Sequence, residues 1–257
     1  MAKVPYIGVD GVARKCKSLH IGVDGVARKV KSAYIGVDGV ARQFYCSSKP
    51  LSSFAEGDIV YINENGSPVE FYVIKHDYES ELNGAGRTLL WRCKTYGVQQ
   101  WNSDEKWNAD ESAALEYSTS DIDSWLNSTY KDLLDADIQD AIGTTEFYYT
   151  KPGSSDVSTL KRSIFLLSAT ELGRTAYCNV EGSELPIAIA LTENDKYEQT
   201  GKSLAYWLRS LTVNLNTQRV YYWHASSPFI AHTVPTKNWQ ARPAFTLPSN
   251  TLVIGKS

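Results

Sequence analysis

Catalysis and metal binding need particular side chains at particular spacings, and few such spacings occur in this chain. The histidines are His20, His76, His224 and His232, and the cysteines are Cys16, Cys46, Cys93 and Cys178. The cysteines form no CxxC pair. Neither a dense disulfide frame nor a grouped zinc site is expected, and the thiols read as free and mostly buried. His224 and His232 share one region, but no acidic residue stands near them to complete a metal set. Gly84-Ala85-Gly86-Arg87 lacks the spacing and the following helix of a phosphate loop, and neither HExxH nor GxSxG occurs. The carboxylate pairs Asp135/Asp137 and Glu193/Asp195 fall in polar turns, where solvation is the expected role. Asp110, Glu111 and Glu116, beside a Trp-rich stretch from Trp101 to Trp107, are the carboxylates a glycan hydrolase would have to use. Asn127-Ser128-Thr129 matches a glycosylation sequon but falls inside an amphipathic helix pattern, so it is discounted. The expectation is a protein that is not an enzyme, with no cofactor and no metal.

A different chemistry is concentrated between Tyr206 and Pro248. Asn214, Asn216, Gln218, Tyr222, His224, Ser226, Ser227, Phe229, His232, Thr236, Asn238 and Trp239 crowd this stretch. Aromatic rings give rigid contact area at low entropic cost, and small polar side chains give adaptable hydrogen bonds. These twelve are the expected ligand-binding residues. Trp207, Tyr221 and Trp223 fall in strand patterns, where alternate rings should fill the core.

Elements must hold these residues in place. The octet Ile7-Gly8-Val9-Asp10-Gly11-Val12-Ala13-Arg14 recurs at Ile21 and at Ile35, a period of 14 residues. Asp-Gly between two valines is a strong hairpin signal, because a type I′ turn needs positive φ at both central positions. Folding there pairs Val9 with Val12 and Ile7 with Arg14, and puts Ile7, Val9, Val12 and Cys16 on one face. The matching faces are Ile21, Val23, Val26, Val30 and Ile35, Val37, Val40, Phe44. A lone hairpin is marginal in water, so three apolar faces must trimerise or dock. Residues 1–46 form this module, 47–53 read as a linker, and 54–257 as one globular domain.

Within that domain, Gly57 to Ile74 reads as a hairpin turning at Asn65-Gly66, and Arg87 to Lys94 as a strand. Ser120 is the expected N-cap of a helix whose buried stripe is Ile122, Trp125, Leu126, Thr129, Tyr130 and Leu133. A short helix from Ala136 to Ile142 ends at Gly143. Ser163 to Leu167 reads as a strand, and Ser168-Ala169-Thr170-Glu171 as a capping box opening a helix that stops at Gly173. Further strands are expected at Ala205 to Leu208, Val220 to Trp223 and Ala244 to Leu247. This order gives an α+β fold and not a doubly wound sheet.

Composition narrows the classes further. With 42% hydrophobic and 21% charged residues, the chain is ordinary globular material. It lacks the 18 or so consecutive apolar residues of a membrane-spanning helix. Met1-Ala2-Lys3-Val4-Pro5 has no apolar core of a secretory signal, so synthesis in a bacterial cytoplasm is expected. Residues 1–46 carry eight Lys and Arg against three Asp, while the total net charge is −3, leaving the rest at −8. An acidic body does not attract nucleic acid, and no membrane insertion is expected.

The threefold repeat is similar to N-terminal repeats of phage and prophage structural proteins. The body resembles a domain family of unknown function frequent in prophages of Gram-positive gut bacteria. The matching features are Gly57-Asp58-Ile59-Val60, the stretch from Trp101 to Trp107, Ile122 to Leu126, Ile164-Phe165-Leu166-Leu167-Ser168, Tyr206-Trp207-Leu208-Arg209-Ser210 and Ala241-Arg242-Pro243-Ala244-Phe245. The last two together are similar to C-type-lectin-like domains of the formylglycine-generating-enzyme type, a fold also used by variable proteins of diversity-generating retroelements. The resemblance implies that Trp207, Arg209, Arg242 and Phe245 are scaffold and that display residues lie from Leu211 to Gln240. The enzymes of that fold use a cysteine pair near the C-terminal end. No cysteine follows Cys178 here, so the oxidase activity is not implied.

The expectation from residues and resemblance together is a C-type-lectin-like display domain behind a hairpin-repeat anchor. Its role would be receptor binding on a phage tail or baseplate, as a homotrimer in the virion. The partners would be a host cell-surface glycan or protein, with other tail proteins held through residues 1–46. A purely structural tail component and a glycan hydrolase are the alternatives.

Overall fold

The computed structural model describes residues 6–9, 12–15, 19–23, 25–30, 32–37, 40–46, 48–198, 205–213, 218–224 and 230–256. It is a mixed α/β structure made mostly of antiparallel strands, with short helices.

Each repeat forms a two-stranded ribbon: β1 (Tyr6–Val9) with β2 (Val12–Lys15), β3 (His20–Val23) with β4 (Val26–Lys29), and β5 (Ser32–Val37) with β6 (Val40–Cys46). Val9 faces Val12 and Ile7 faces Arg14, and the same register joins Val23 to Val26, Ile21 to Arg28, Val37 to Val40 and Ile35 to Arg42. Gly25 takes φ +74°, the left-handed conformation that a tight two-residue turn demands at its second position. In the middle ribbon Ile21 is 54% and Val26 58% exposed, while Val23 and Val30 are half-buried, so half of its apolar face lies open to water.

The remaining strands are β7 (Lys49–Pro50), β8 (Ile59–Glu64), β9 (Ser67–His76), β10 (Arg87–Arg92), β11 (Tyr96–Gln99), β12 (Thr145–Thr150), β13 (Val157–Arg162), β14 (Ala205–Leu211), β15 (Val220–His224), β16 (Ala231–Thr233), β17 (Trp239–Ala241), β18 (Ala244–Pro248) and β19 (Leu252–Gly255). The helices are α1 (Ser80–Asn83), α2 (Asp104–Ala109), α3 (Asp121–Trp125), α4 (Ala136–Ile142) and α5 (Pro186–Glu198). Six strands form one sheet in the order β18-β10-β9-β8-β19-β7, five form a second in the order β11-β17-β14-β15-β16, and β12 with β13 makes a separate ribbon.

A core rich in aromatic rings joins the two sheets. Trp91 of β10 meets Tyr206 of β14 edge-on at 6.0 Å, and Phe71 of β9 packs on Phe245 of β18 at 5.2 Å. The Arg242 guanidinium lies 3.5 Å from the Trp91 ring centre and 5.3 Å from that of Tyr206. Its Nε and Nη2 donate to the carbonyls of Arg92 and Cys93. A delocalised cation between two rings, bonded to backbone carbonyls, binds both sheets.

The expected elements at residues 59–76, 87–92, 136–142, 205–211, 220–224 and 244–248 are present, with Asn65 and Gly66 both at positive φ in the first hairpin. Other segments differ from expectation. Ser163 to Leu167, buried from Ile164 onward, is not a strand; Phe165 makes one bridge to Ala244. Side chains take its backbone groups instead. Asn127 Oδ1 accepts from Ser163 N and Ile164 N, the Tyr117 hydroxyl accepts from Leu166 N, and Arg209 Nη1 donates to the Leu166 carbonyl.

The capping box does close: Ser168 N donates to Glu171 at 2.7 Å and Glu171 N to Ser168 Oγ at 3.0 Å. Only a single turn follows, because Gly173 at φ +80° stops it at once. The helix after Ser120 is not continuous. It runs as α3, a π-helical turn over Leu126–Tyr130 and a 3-10 turn over Lys131–Leu133. Asn127 Nδ2 donates to the Asp123 carbonyl and Ser128 Oγ to that of Ser124, competing for the helical ladder. Thr129, expected in the buried stripe, is exposed. The expected linker is partly built into the body: β7 pairs with β19, and Leu51, fully buried, donates its N–H to the Thr251 carbonyl.

Candidate functional site

The five-stranded sheet positions the candidate residues by simple alternation. In β15, Tyr221 and Trp223 are buried, while Tyr222 and His224 are half-buried on the opposite face. Register sets Tyr222 across from Trp207 and His224 across from Ala205. On that face the Tyr222 and Trp239 rings stack at 5.1 Å with planes 19° apart. Trp207 meets Tyr222 edge-on at 6.4 Å, and His224 meets Tyr222 at 6.2 Å and Trp239 at 6.3 Å, also edge-on. Trp207 itself is buried, its indole N–H donating to the Gln99 carbonyl at 2.8 Å.

The structure thus gathers three of the twelve expected contact residues, Tyr222, His224 and Trp239, into one aromatic shelf on a buried Trp207. The Trp239 Nε1 atom is shielded from solvent and has no hydrogen-bond partner among the described residues. An indole N–H shielded in this way carries an unmet hydrogen-bond demand, which a ligand could meet only by reaching into the shielded edge of the ring.

Other expected contact residues lie elsewhere. Gln218 Oε1 accepts from Gly153 N at 2.8 Å, a bond to the turn after β12. His232, on β16, packs edge-on against Tyr221 at 5.9 Å, on the face opposite the shelf. Thr236 and Asn238 occupy the turn between β16 and β17. There the Pro235 carbonyl accepts from Trp101 N, and the Thr236 carbonyl accepts from Gln100 Nε2. Asn214, Asn216, Ser226, Ser227 and Phe229 lie outside the described residues. The four expected scaffold residues, Trp207, Arg209, Arg242 and Phe245, are all buried.

Two of the three candidate hydrolase carboxylates serve local structure. Asp110 Oδ1 accepts from the backbone of Ser112 and Ala113, and Glu116 accepts from Ser118 N and Oγ. Asp135 accepts from Asn63 Nδ2 at 2.7 Å. Asn127 of the sequon is held by Asp123, Ser163 and Ile164. His76 is bonded on both ring nitrogens, to Thr88 Oγ1 and the Phe54 carbonyl. Among the described residues no group of three or more His, Cys, Asp or Glu side chains is placed to hold a metal ion.

Arg174 and Arg219, on segments that pack around Tyr221, are not among the residues expected from the sequence. Arg219 could have been noticed as a lone cation directly before β15; Arg174 sits in a turn with no distinguishing local pattern. Among the described residues no helix is long and apolar enough to cross a membrane.

No curated protein and no solved structure matches the chain. A family model does match residues 85–249, from just before β10 to the end of β18, and by that match the chain belongs to the family described as a domain of unknown function (DUF6273).

Proposed function

We propose that this chain is a receptor-binding protein of a phage tail or baseplate, contacting a host-surface glycan or protein through the outer face of its five-stranded sheet. The observation that carries this reading is the shelf of Tyr222, His224 and Trp239, half-exposed and stacked, with an unsatisfied indole donor. Aromatic residues anchored on a rigid sheet are the composition and geometry that recognition surfaces favour. Residues 214–217 and 225–229, which lie outside the described residues, carry the Asn, Ser and Phe side chains that would vary between ligands. The pairing of Trp207-Leu208-Arg209-Ser210 on β14 with Arg242-Pro243-Ala244-Phe245 leading into β18 supports a C-type-lectin-like body, and the absence of cysteine beyond Cys178 supports a non-enzymatic one.

In this reading the hairpin repeats anchor the protein, as a homotrimer or against other tail proteins. The bare Ile21 and Val26 of the middle ribbon support such docking, since exposed apolar side chains on a two-stranded ribbon call for a covering surface. Several copies on one particle would multiply weak contacts through avidity. The test is adsorption of the full chain to host cells by the native protein and by Tyr222→Ala and Trp239→Ala variants of unchanged circular dichroism. Adsorption lost in the variants supports the reading; adsorption kept in both rejects it. A near-copy of the segment encoding residues 206–245 beside a reverse-transcriptase gene, differing only at adenines, would further mark the loops as hypervariable.

A further inference from the structure

The body contains seven arginines, Arg87, Arg92, Arg162, Arg174, Arg209, Arg219 and Arg242, and five are satisfied within the chain. Arg92, Arg162 and Arg209 pair with Glu64, Asp123 and Glu171 at 2.9, 2.7 and 2.7 Å. Arg87 donates to the carbonyls of Ile142 and Thr246, and Arg242 to those of Arg92 and Cys93. Arg174 and Arg219 break this pattern. Neither forms an ion pair among the described residues. Arg174 Nε is shielded from solvent without a hydrogen-bond partner there. The Arg219 guanidinium donates to the carbonyl of its neighbour Gln218 and lies 5.8 Å from the Trp107 ring centre.

Both converge on one end of the five-stranded sheet. Arg219 immediately precedes Val220, which pairs with Thr233 of the edge strand β16. The turn that carries Arg174 is tied to the same strand, since the Tyr221 hydroxyl donates to the carbonyls of Ala176 and Tyr177 at 3.0 and 3.1 Å. His232, exposed on β16, packs on Tyr221. Its pKa is pushed below the usual imidazole value by burial first, then by the charges of Arg219 and Arg174. Three basic residues are therefore carried by segments that pack around Tyr221, on a body whose net charge is −8, and among the described residues no carboxylate is paired to either arginine.

We propose that Arg174, Arg219 and His232 form a binding site for an oxyanion, a carboxylate or phosphoryl group carried by the protein's ligand. Guanidinium forks match the paired oxygens of these groups, and a half-buried arginine with no carboxylate beside it, one of them with a shielded Nε left without a partner, has donors to offer such an anion. Tyr177, 57% exposed, lies on the same turn as Arg174. The existence of the site follows from the arginines alone; that its occupant is borne on a host-surface molecule rests on the receptor-binding reading.

The full chain is titrated with glucuronic acid and with glycerol 3-phosphate, with glucose and glycerol as uncharged controls. Affinity is read by calorimetry and the His232 ring protons by NMR, assigned with a His232→Gln variant. The expected result is saturable, millimolar binding of at least one anion, a rise in the His232 pKa on binding, and no response to the controls. The tighter of the two anions identifies a carboxylate or a phosphoryl source. Arg174→Gln and Arg219→Gln should each weaken binding about 10-fold or more with near-UV circular dichroism unchanged, and Arg219→Lys should recover part of it. No saturable shift of His232 with either anion, or unchanged affinity in the double glutamine variant, overturns the site. Anion binding with no adsorption to host cells would leave the site standing and reject the receptor-binding reading.

Discussion

The Arg209 guanidinium meets the Glu171 carboxylate at 2.7 Å with both side chains wholly removed from water. The pair is held by further bonds: Glu171 accepts from the Tyr78 hydroxyl at 2.5 Å and from Ser168 N, and Arg209 donates to the Tyr148 and Leu166 carbonyls. Burial and the facing carboxylate push the Tyr78 pKa well up, so its hydroxyl stays protonated and donating. Arg209 also lies 4.8 Å from the Phe147 ring centre. It thus ties β14 to the Ser168–Glu171 turn and to β12.

Removing one member of that pair leaves the other charged and buried. Arg209→Met should destabilise the protein by about 3–5 kcal/mol, while Arg209→Met combined with Glu171→Met should cost much less than the two single changes added together. Urea unfolding of the four proteins measures the coupling, and additive losses would contradict it.

Much of this was legible in the sequence and some was not, for identifiable reasons. The Asn65-Gly66 turn and the Gly143 stop follow from local rules, because positive φ is a property of a few residues and their immediate neighbours. Ser163 to Leu167 carried an apolar run that reads equally as a strand or as buried coil. The deciding groups, Asn127, Tyr117 and Arg209, are 36 to 49 residues away, too far for a local pattern to reveal. The shelf was half-visible: alternation marked Tyr222 and His224 as a face, but Trp239 joins them only through β17, a three-residue strand with no signal of its own. The segments carrying Arg174 and Arg219 are joined only through the Tyr221 hydroxyl, a tertiary contact with no local signal.

Ser120 caps α3 by accepting from Asp123 N at 3.1 Å while its own hydroxyl donates to the Tyr117 carbonyl at 2.8 Å. Both bonds are buried, so Ser120→Ala should lose about 1–2 kcal/mol. Ser128 bonds back to the Ser124 carbonyl from an exposed position within the π-helical turn. Its replacement by alanine should be nearly neutral. Equal losses at both positions would contradict the capping role.

Asp123 gives a pH dependence of definite sign. Burial raises its pKa from 3.8 to about 6, outweighing the opposing hydrogen bond and charge of Arg162. The native state therefore binds the proton more tightly than the unfolded chain, and this group's contribution to stability grows as pH falls from above 6 toward 4. Relative to Asp123→Asn, the native protein should gain on the order of 2 kcal/mol between pH 7 and pH 4, measured by denaturant unfolding at each pH. A flat difference across that range would refute the assignment.

Cys93 and Cys178 should resist thiol reagents. Burial, the leading cause in each, pushes their pKa values up to about 12 and about 11. At pH 8 the thiolate fraction of each is then roughly a thousandth or less, and the thiolate is the species that reacts. Peptide mapping after iodoacetamide treatment of the folded protein should find both unmodified on a timescale at which the unfolded chain is fully alkylated.

The shelf allows stacking and hydrogen bonding to be separated within one side chain. Trp239→Ala removes both the ring stacked on Tyr222 and the shielded Nε1 donor. If the shelf is the binding anchor, that change should weaken cell adsorption by about 30-fold or more, the scale of an aromatic hot spot. Trp239→Phe keeps a ring over Tyr222 and removes only the donor, so its loss should be about 5- to 10-fold, the worth of one net hydrogen bond. Tyr222→Ala should resemble Trp239→Ala, because each ring is held flat by the other. A phenylalanine variant as weak as the alanine variant would place the recognition in the indole N–H alone, and a phenylalanine variant as strong as the native protein would place it in the stacked faces.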